Sequence, residues 1–447
     1  MNHDNSAALQ PMEDEDGDRI SSLPLEIIIS ILCCLDIRYA VRTSALARSW
    51  RHHWKLLPCL CVDRFLPELQ DALTPDNCSL CPVGLGWMNK VHHVLSSLQG
   101  PVLVFKLSHY FRSYQSPKLQ SLLDLLLERA GVQLQSLCLF SHLEPVFVHL
   151  PFFHSLKVLQ LHACNVILPT GFSGFKRLIT LDFEKVYISH DDFHFLIRTS
   201  NNLTTFRNLG FVTANLPLSV NLSCPLLRHL HFEISESIEK VSVVSAPCLE
   251  EAHICIKKLT GSQSEKFASV TLGLLTSVAN VSSLKLDCHV LQSLSLVTLP
   301  FNFTFPRLRC LKLFWGITTM DLLYDTFLRL LRSMPFLEKL HLVIGLWPTN
   351  WNRNKTRELI GWKQEGLPCL DQSLKRVTIS IHACDPFMTS ITVAKFFLLN
   401  AKVLKLMKVQ YLYQLYGASA MSKELHGADV TSSDAIVVFL DLMGNVI

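Results

Sequence analysis

Charged residues are scarce in this sequence of 447 residues: they make up 17% of the chain, whereas hydrophobic residues make up 49%. A disordered scaffold is excluded, because such chains are poor in hydrophobic residues and rich in charge. The net charge is only +4, and the Lys and Arg residues are spread along the chain. Nucleic-acid-binding surfaces need clustered positive charge, so we expect no nucleic-acid partner. The composition predicts a folded protein with a large core.

Long hydrophobic runs are also missing. The longest uncharged windows, 267–284 and 288–306, are interrupted by Ser, Thr, Asn or Pro, and a membrane-spanning helix needs about 20 predominantly apolar residues. Residues 1–18 are acidic and polar, without the basic and apolar regions of a signal peptide. The 15 cysteines follow no disulfide framework, which indicates reduced, packed thiols. We therefore expect no membrane partner and a cytoplasmic and/or nuclear location.

Catalytic and cofactor motifs are absent as well. The stretch "GLGWMN" (84–89) lacks the third Gly of a dinucleotide site, and "GFSGF" (171–175) lacks the last Gly of a nucleophile elbow. Cys78 and Cys81 form one C-x-x-C pair, which does not make a zinc site even with the His92–His93 dipeptide behind it. We expect no catalytic residue, no metal and no cofactor, and therefore a protein that is not an enzyme.

What the sequence does contain is a phrase of the form L-x-x-L-x-L, repeated ten times. The copies begin at Leu134, Leu156, Leu178, Leu203, Leu227, Leu249, Val281, Leu308, Leu337 and Leu374. Their spacings are 22, 22, 25, 24 and 22 residues, and then 32, 27, 29 and 37. The early spacings lie in the range of leucine-rich repeats. Each phrase predicts a short strand whose Leu side chains point inward, and neighbouring units must stack to bury them. A set of ordinary amphipathic strands in an α/β domain is the alternative.

The residue between the last two inward positions of each phrase is expected to face solvent. We predict that this stripe binds a target, because exposed side chains on a rigid sheet form a recognition surface; a merely solvated face is the alternative. The predicted target-binding residues are Gln160, Asp182, His231, His253, Lys285, Lys312 and His341. Cys138 and Thr378 belong to the same stripe, and the fourth repeat is omitted because its register is unclear.

The N-terminal region 20–54 combines a dense aliphatic segment with a basic, tryptophan-containing one. Pro24 suits the first turn of a helix, and Asp36 is a suitable cap for a second. Trp50 and Trp54 are expected on one face of a third helix. The first helix has a broad apolar face, made of Ile27, Ile28, Ile31, Leu32 and Leu35. Three short helices bury too little surface to be stable alone, so this face predicts a partner.

The segment "LPLEIIISILCCLDIRYAVRTSALARSWRHHWKLLP" (23–58) resembles the F-box of plant F-box/FBD/leucine-rich-repeat proteins. The resemblance implies a three-helix module that binds a Skp-type adaptor, and through it a cullin scaffold. The residues that match the family's adaptor contacts are Leu23, Pro24, Ile27, Ile31, Leu35 and Val41. Trp50 and Trp54 are expected to hold the module together. Ala47 replaces the usual Ser cap of the third helix, and Ser49 replaces a basic residue; the lost cap costs about 1 kcal/mol.

Residues 369–409, and above all "FFLLNAKVLKLMKV" (396–409), are similar to the FBD segment of the same family. "PFMTSIT" (386–392) departs from it, since the family tends to have a Gly and an acidic residue there. The predicted fold is α/β, with a three-helix F-box followed by an irregular leucine-rich-repeat solenoid with a curved, mostly parallel sheet. The predicted boundaries are an acidic N-terminus (1–18), the F-box (19–60), a helical or irregular linker (61–130), the repeats (131–365), the FBD-like segment (366–415) and a divergent tail (416–447).

The family resemblance implies a substrate-recognition subunit of an SCF-type E3 ubiquitin ligase that binds a protein target. Such a subunit performs no covalent chemistry, which agrees with the missing catalytic motifs. Two alternatives stay open. One is a repeat scaffold with a weakened F-box, and the other is a receptor of the same architecture gated by a small molecule.

Overall fold

The computed structural model describes residues 20, 22–63, 83–210, 218–257, 264–297, 301, 303–316, 320–345, 367–381, 387–411, 432 and 435–440. In this part of the chain the helices are α1 (Leu25–Cys33), α2 (Ile37–Arg42), α3 (Val83–Ser97), α4 (Ser116–Ala130), α5 (His190–Thr199), α6 (Ser264–Ser277), α7 (Cys288–Leu294), α8 (Met320–Arg332), α9 (Pro368–Gln372) and α10 (Phe387–Asn400). Three 3₁₀ segments cover Thr43–Ala45, Ser49–Leu56 and Ser113–Gln115.

Eighteen strands are described. They are β1 (Cys59–Asp63), β2 (Val104–His109), β3 (Ser136–Ser141), β4 (Val146–His149), β5 (Val158–His162), β6 (Cys164–Ile167), β7 (Thr180–Glu184), β8 (Thr205–Leu209), β9 (Leu218–Ser223), β10 (His229–Ile234), β11 (Ile238–Ser245), β12 (Glu251–Ile256), β13 (Ser283–Leu286), β14 (Cys310–Gly316), β15 (Lys339–Gly345), β16 (Arg376–Ile381), β17 (Leu406–Tyr411) and β18 (Ile436–Leu440).

Fourteen of these strands form one sheet, in the order β1-β2-β3-β5-β7-β8-β10-β12-β13-β14-β15-β16-β17-β18. Neighbours in it pair in parallel, and β1 and β18 are its two ends, so the sheet is open. The pairs β4–β6 and β9–β11 form two small parallel sheets. The predicted α/β fold with a mostly parallel repeat sheet is confirmed.

The repeat phrase positions the strands of the main sheet. Each of the ten copies starts a strand two residues after its first residue, from Leu134 and β3 to Leu374 and β16. The leucines of the phrase are buried, as in the second copy, where Leu159 and Leu161 are 0% and 1% exposed. Burying one such side chain contributes about 1.5–3 kcal/mol, so a complete pair anchors its strand in the core.

A backbone ladder at the strand starts holds the repeats in register. The Lys157 amide donates to the Gln135 carbonyl at 2.7 Å, and the Ile179 amide donates to the Lys157 carbonyl at 2.7 Å. The same contact recurs up to the Lys405 amide, which donates to the Lys375 carbonyl at 2.9 Å. Since each turn pairs with the next, side chains at equal positions of successive phrases align in rows.

The helices and the inward residues of the strands share one hydrophobic core. In α4 the buried face includes Leu119, Leu122 and Leu126. Helix α5 begins at a capped terminus, where the Ser189 hydroxyl accepts a hydrogen bond from the Asp192 amide at 3.1 Å. The alternate positions of the strands therefore lie on the other face of the sheet, which we call the open face.

The sheet extends beyond the predicted repeats in both directions. Segment 61–130, predicted as a helical or irregular linker, contributes β2, and residues 436–440 of the predicted tail pair with β17. The phrase before β2, "VLVFKL" (102–107), is degenerate, because Val and Phe replace two leucines. The domain boundaries otherwise stay predictions, and residues 1–18, Cys78 and Cys81 lie outside the described residues. The cysteines within that part are free thiols, and no helix there is long and apolar enough to span a bilayer.

Candidate adaptor-binding and target-binding surfaces

The N-terminal module is anchored by its second helix and its tryptophans. The Asp36 side chain caps α2, as predicted, by accepting a hydrogen bond from the Arg38 amide at 2.9 Å. Trp50 is buried, and Trp54 packs partly buried against the same core. Both tryptophans thus contribute to the stability of the module.

Two details of the module differ from the sequence prediction. Pro24 precedes α1 as its cap residue and does not start the helix. The third helix is a 3₁₀ helix, Ser49–Leu56, without a side-chain cap at its start. Instead, the Trp50 amide donates to the Ala47 carbonyl at 3.1 Å. Bonds of this tighter type satisfy free amide groups where no side chain does so.

Helix α1 presents an apolar stripe to solvent. Ile27, Ile31 and Leu35 are 47%, 40% and 38% exposed, whereas the neighbouring Ile28 and Leu32 are 2% and 0% exposed. The three exposed residues are four positions apart, so they follow one side of the helix and the turn after it. Roughly two fifths of the surface of each side chain is therefore free to contact a partner.

The other predicted adaptor contacts differ in exposure. Pro24 is exposed beside the stripe, whereas Leu23 and Val41 are partly buried and pack against the core. Three further apolar residues of the module, not selected from the sequence, are exposed: Leu25, Tyr39 and Leu46.

The seven predicted target-binding residues lie in a single row of the open face. In the strand register each of the seven lies directly beside the next, except that strand β8 separates Asp182 from His231. All seven side chains are partly buried. Arg207 occupies the position of the omitted repeat, and Lys106 and Lys408 extend the row at its two ends. These three were missed because their phrases are degenerate. Cys138 belongs to the row but is only 6% exposed, so it does not face solvent as predicted; its thiol donates to Gln160 Oε1 at 3.2 Å.

In the N-terminal part of the row, charges are neutralised within the protein. Arg207 Nη1 lies 3.1 Å from Asp182 Oδ2, and Arg207 Nη2 lies 3.7 Å from Glu184 Oε2. Burial raises the pKa of Asp182, and the Arg207 guanidinium opposes this change. This part of the open face therefore carries little uncompensated charge.

Two imidazoles stack at the centre of the row. The His231 and His253 ring centroids are 3.8 Å apart with 24° between the planes. Burial lowers the pKa of His231 to about 4, helped by the nearby Arg207 cation. Burial lowers the pKa of His253 to about 3, helped by His231. Both rings are therefore neutral near pH 7.

Cys255 completes a group of possible metal ligands with the two histidines, because their ligand atoms lie within 4.8 Å of one another. The Cys255 thiol is 3.7 Å from His231 Nε2. A tetrahedral zinc site needs lone pairs that converge on one point. In a face-to-face stack the in-plane lone pairs of the two rings run nearly side by side. The arrangement therefore suits packing of two neutral rings better than coordination of one metal.

Comparison with known proteins identifies the family of the N-terminal module and of the repeat sheet. The family profile "FBD-associated F-box protein At5g56370, LRR repeats" matches residues 119–342, about half of the chain, and the F-box domain profile matches residues 20–61. The chain is 31% identical over 230 residues to the Arabidopsis thaliana F-box/FBD/LRR-repeat protein At1g13570, covering 49% of this chain and 50% of that protein. It is also 44% identical over 52 residues to the Arabidopsis thaliana putative FBD-associated F-box protein At1g55030, covering 12% of each. The chain thus spans half or less of the length of these relatives. An N-terminal F-box followed by a parallel repeat sheet shows that the chain belongs to the FBD-associated F-box proteins with leucine-rich repeats.

Proposed function

We propose that the chain is the substrate-recognition subunit of an SCF-type E3 ubiquitin ligase. Its F-box binds a Skp-type adaptor, and through it a cullin scaffold, while the open face of the repeat sheet binds a protein target. The observation that carries the proposal is the exposed stripe Ile27, Ile31 and Leu35 within the matched F-box.

The stripe has the chemistry of a protein-binding surface. The exposed fractions of its three side chains amount together to about one and a quarter fully exposed Ile or Leu side chains. Covering that surface contributes roughly 2–4 kcal/mol if a complete side chain contributes about 1.5–3 kcal/mol. Contiguous apolar patches on a protein surface commonly mark interaction sites. An adaptor helix packed on α1 would remove this surface from water.

The open face suits target binding because its side chains project from a hydrogen-bonded sheet and are ordered before binding. The subunit then acts by proximity: a bound target has a high effective concentration near the charged conjugating enzyme. No covalent step is assigned to this chain, so we propose that it is not itself an enzyme. The free thiols of the described cysteines fit a reducing compartment, cytoplasmic and/or nuclear.

A repeat scaffold with a weakened F-box is the second candidate. The observation in its favour is the third helix of the module, which is 3₁₀ and has no side-chain cap. The loss of a cap costs about 1 kcal/mol, which would weaken the module and its affinity for an adaptor.

The test is copurification of the full chain with a Skp-type adaptor. We expect the wild-type chain to bind and the Ile27→Asp/Ile31→Asp variant to lose binding, because two carboxylates would be buried in an apolar interface. The control is Val132→Asp/Val244→Asp, which changes two apolar residues outside the F-box that are 71% and 69% exposed. If folded wild-type chain does not bind the adaptor, or if both variants bind as it does, the ligase function is wrong.

A further inference from the structure

The C-terminal half of the open face carries charge of one sign. Strands β13 to β17 contain five Lys or Arg residues and no Asp or Glu. The five are Lys285, Lys312, Lys339, Arg376 and Lys408. Lys285, Lys312 and Lys408 lie in the central row, and Lys339 and Arg376 lie two positions earlier on the same face. This basic surface, defined by the five cations, spans about 19 Å at a strand spacing of about 4.8 Å.

Carboxylates that could neutralise the basic surface are engaged elsewhere. Between residues 283 and 411, the carboxylate side chains that the structure describes are Asp287, Asp325, Glu338 and Asp371. Asp287 accepts two backbone hydrogen bonds. The other three pair with cations outside the basic surface: Asp325 with Arg329, Glu338 with Arg309 and Lys375, and Asp371 with Lys402. Within the described residues, the five cations therefore have no carboxylate partner.

Two of the cations converge on one aromatic ring. Lys285 Nζ lies 5.2 Å and Lys312 Nζ lies 5.4 Å from the centroid of Phe314. Burial and the neighbouring Lys312 ammonium lower the pKa of Lys285. Since the ring attracts both cations while they repel each other, an anion placed between them would relieve the repulsion.

A groove of about 250 Å³ continues the basic surface towards β17. Lys339, Arg376 and Lys408 line it together with His341 and Thr378. Burial lowers the pKa of His341 to about 4, helped by Lys312, so this ring is neutral and its Nε2 lies 2.8 Å from the Ser380 hydroxyl. The groove thus combines three cationic side chains with two neutral polar groups.

We infer that the basic surface binds an acidic segment of the target protein, extended across strands β13 to β17 with carboxylates at alternate positions. The inference rests on the proposed function and names the chemistry of its target. In an extended peptide, side chains on one face repeat every two residues, about 6.7 Å. Three or four carboxylates therefore fit along about 19 Å. The N-terminal part of the row does not compete for such a segment, because Arg207 is already paired with Asp182 and Glu184.

The experiment measures binding of a fluorescent acetyl-(Glu-Ser)4 amide to the full chain by fluorescence anisotropy. We expect saturable binding that weakens as salt is raised, because exposed ion pairs are screened, and no binding of acetyl-(Gln-Ser)4 amide. The Lys339→Glu/Lys408→Glu variant should bind the acidic peptide at least about tenfold more weakly. The control variant Lys176→Glu/Lys240→Glu changes net charge equally at exposed positions outside this surface, and should change Kd less than about twofold. Circular dichroism establishes that each variant is folded.

Three results would overturn the inference: no binding of the acidic peptide to folded wild-type chain, equal losses in the two variants, or equal affinity for a single-stranded DNA of the same charge. The last result would mean a surface for polyanions in general. Copurification with the adaptor, measured on the same preparations, separates the two proposals. Adaptor binding without peptide binding would contradict only the proposal of an acidic target segment. Peptide binding without adaptor binding would contradict only the proposed ligase function.

Discussion

Asp287 connects two neighbouring repeats, and its removal tests how the repeat sheet is held together. Asp287 Oδ1 accepts a hydrogen bond from the Val290 amide at 2.9 Å and thereby caps α7. Asp287 Oδ2 accepts from the Ile256 amide at 2.9 Å, at the end of β12. Burial raises the pKa of Asp287 to about 6, although both amides oppose this. At pH 8 the carboxylate is ionised and both contacts are made.

The Asp287→Ala substitution removes both contacts at once. Loss of the helix cap costs about 0.5–2 kcal/mol, and an Ile256 amide without a buried partner costs about 1–3 kcal/mol. These losses sum to about 1.5–5 kcal/mol. Relief of the desolvation that raises the pKa of Asp287 offsets part of this sum, so we expect the free energy of unfolding to fall by about 1–3 kcal/mol. Asp287→Asn should fall between wild type and Ala, because its amide side chain has only one oxygen to accept either bond.

Urea denaturation at pH 8, followed by circular dichroism, measures the change, provided that the slope of free energy against urea stays constant. Ser189→Ala is the matched control, since it removes a side-chain cap that makes one backbone contact, to the Asp192 amide. This control should cost only about 1 kcal/mol. If Asp287→Ala costs no more than Ser189→Ala, the contact between β12 and the start of α7 contributes nothing, and our reasoning on this contact is refuted.

Two further predictions concern the stacked imidazoles and a glycine turn. His253 has a folded pKa of about 3, because of burial and its neighbour His231, against about 6.5 in an unfolded chain. The neutral His253 ring therefore costs no stability above pH 6.5, and the free energy of unfolding falls as the pH is lowered from 6.5 towards 3. The His253→Gln variant should show a smaller fall, because it takes up about one proton fewer than wild type on unfolding near pH 5. An unchanged pH profile of stability would contradict the folded pKa. Gly174 has φ of +87°, and an added Cβ would collide with the Thr199 side chain. Gly174→Ala should therefore lower the free energy of unfolding by about 1–3 kcal/mol, and by more than Gly171→Ala, where φ is +77° but the space is empty; equal costs in urea denaturation would rule out the collision.

The repeat phrase allowed much of the open face to be predicted. A strand alternates its side chains with period two, so a phrase such as "LKVLQL" (156–161) predicts both the buried leucines and the outward residue between them. Gln160 and Lys312 lie in the central row as expected. Arg207 was not predicted, because Asn stands at the third Leu position of the phrase "LTTFRN" (203–208). The register of that strand could therefore not be assigned from the sequence. The burial of Cys138 also escaped prediction, since it depends on the neighbouring strands and not on the phrase.

In the N-terminal module the apolar pattern predicted a helix with a broad apolar face at α1, but neither which of its residues stay exposed nor the type of the third helix. Ile27 and Ile31 are exposed while Ile28 and Leu32 are buried; the periodicity marked all of them as apolar without deciding which would face the core. The third helix, Ser49–Leu56, is 3₁₀ and begins after Arg48 without a side-chain cap. The missing cap alone does not decide the helix type, because α1 also lacks a side-chain cap and is α-helical. Helix type is decided by the balance of a few hydrogen bonds, and apolar spacing does not report on that balance.

The sequence by itself determined what is local and periodic. This includes the parallel repeat sheet, the identity of most residues in its central row, and an N-terminal helix with an apolar face. Only the tertiary structure decided which charges are neutralised. Arg207 meets Asp182 across 25 residues, whereas Lys339, Arg376 and Lys408 meet no described carboxylate. The pairing of two charges depends on distances of a few ångströms between side chains of different repeats. Those distances are set by the register of strands that lie 20 to 40 residues apart in the chain, and no short stretch of sequence contains them.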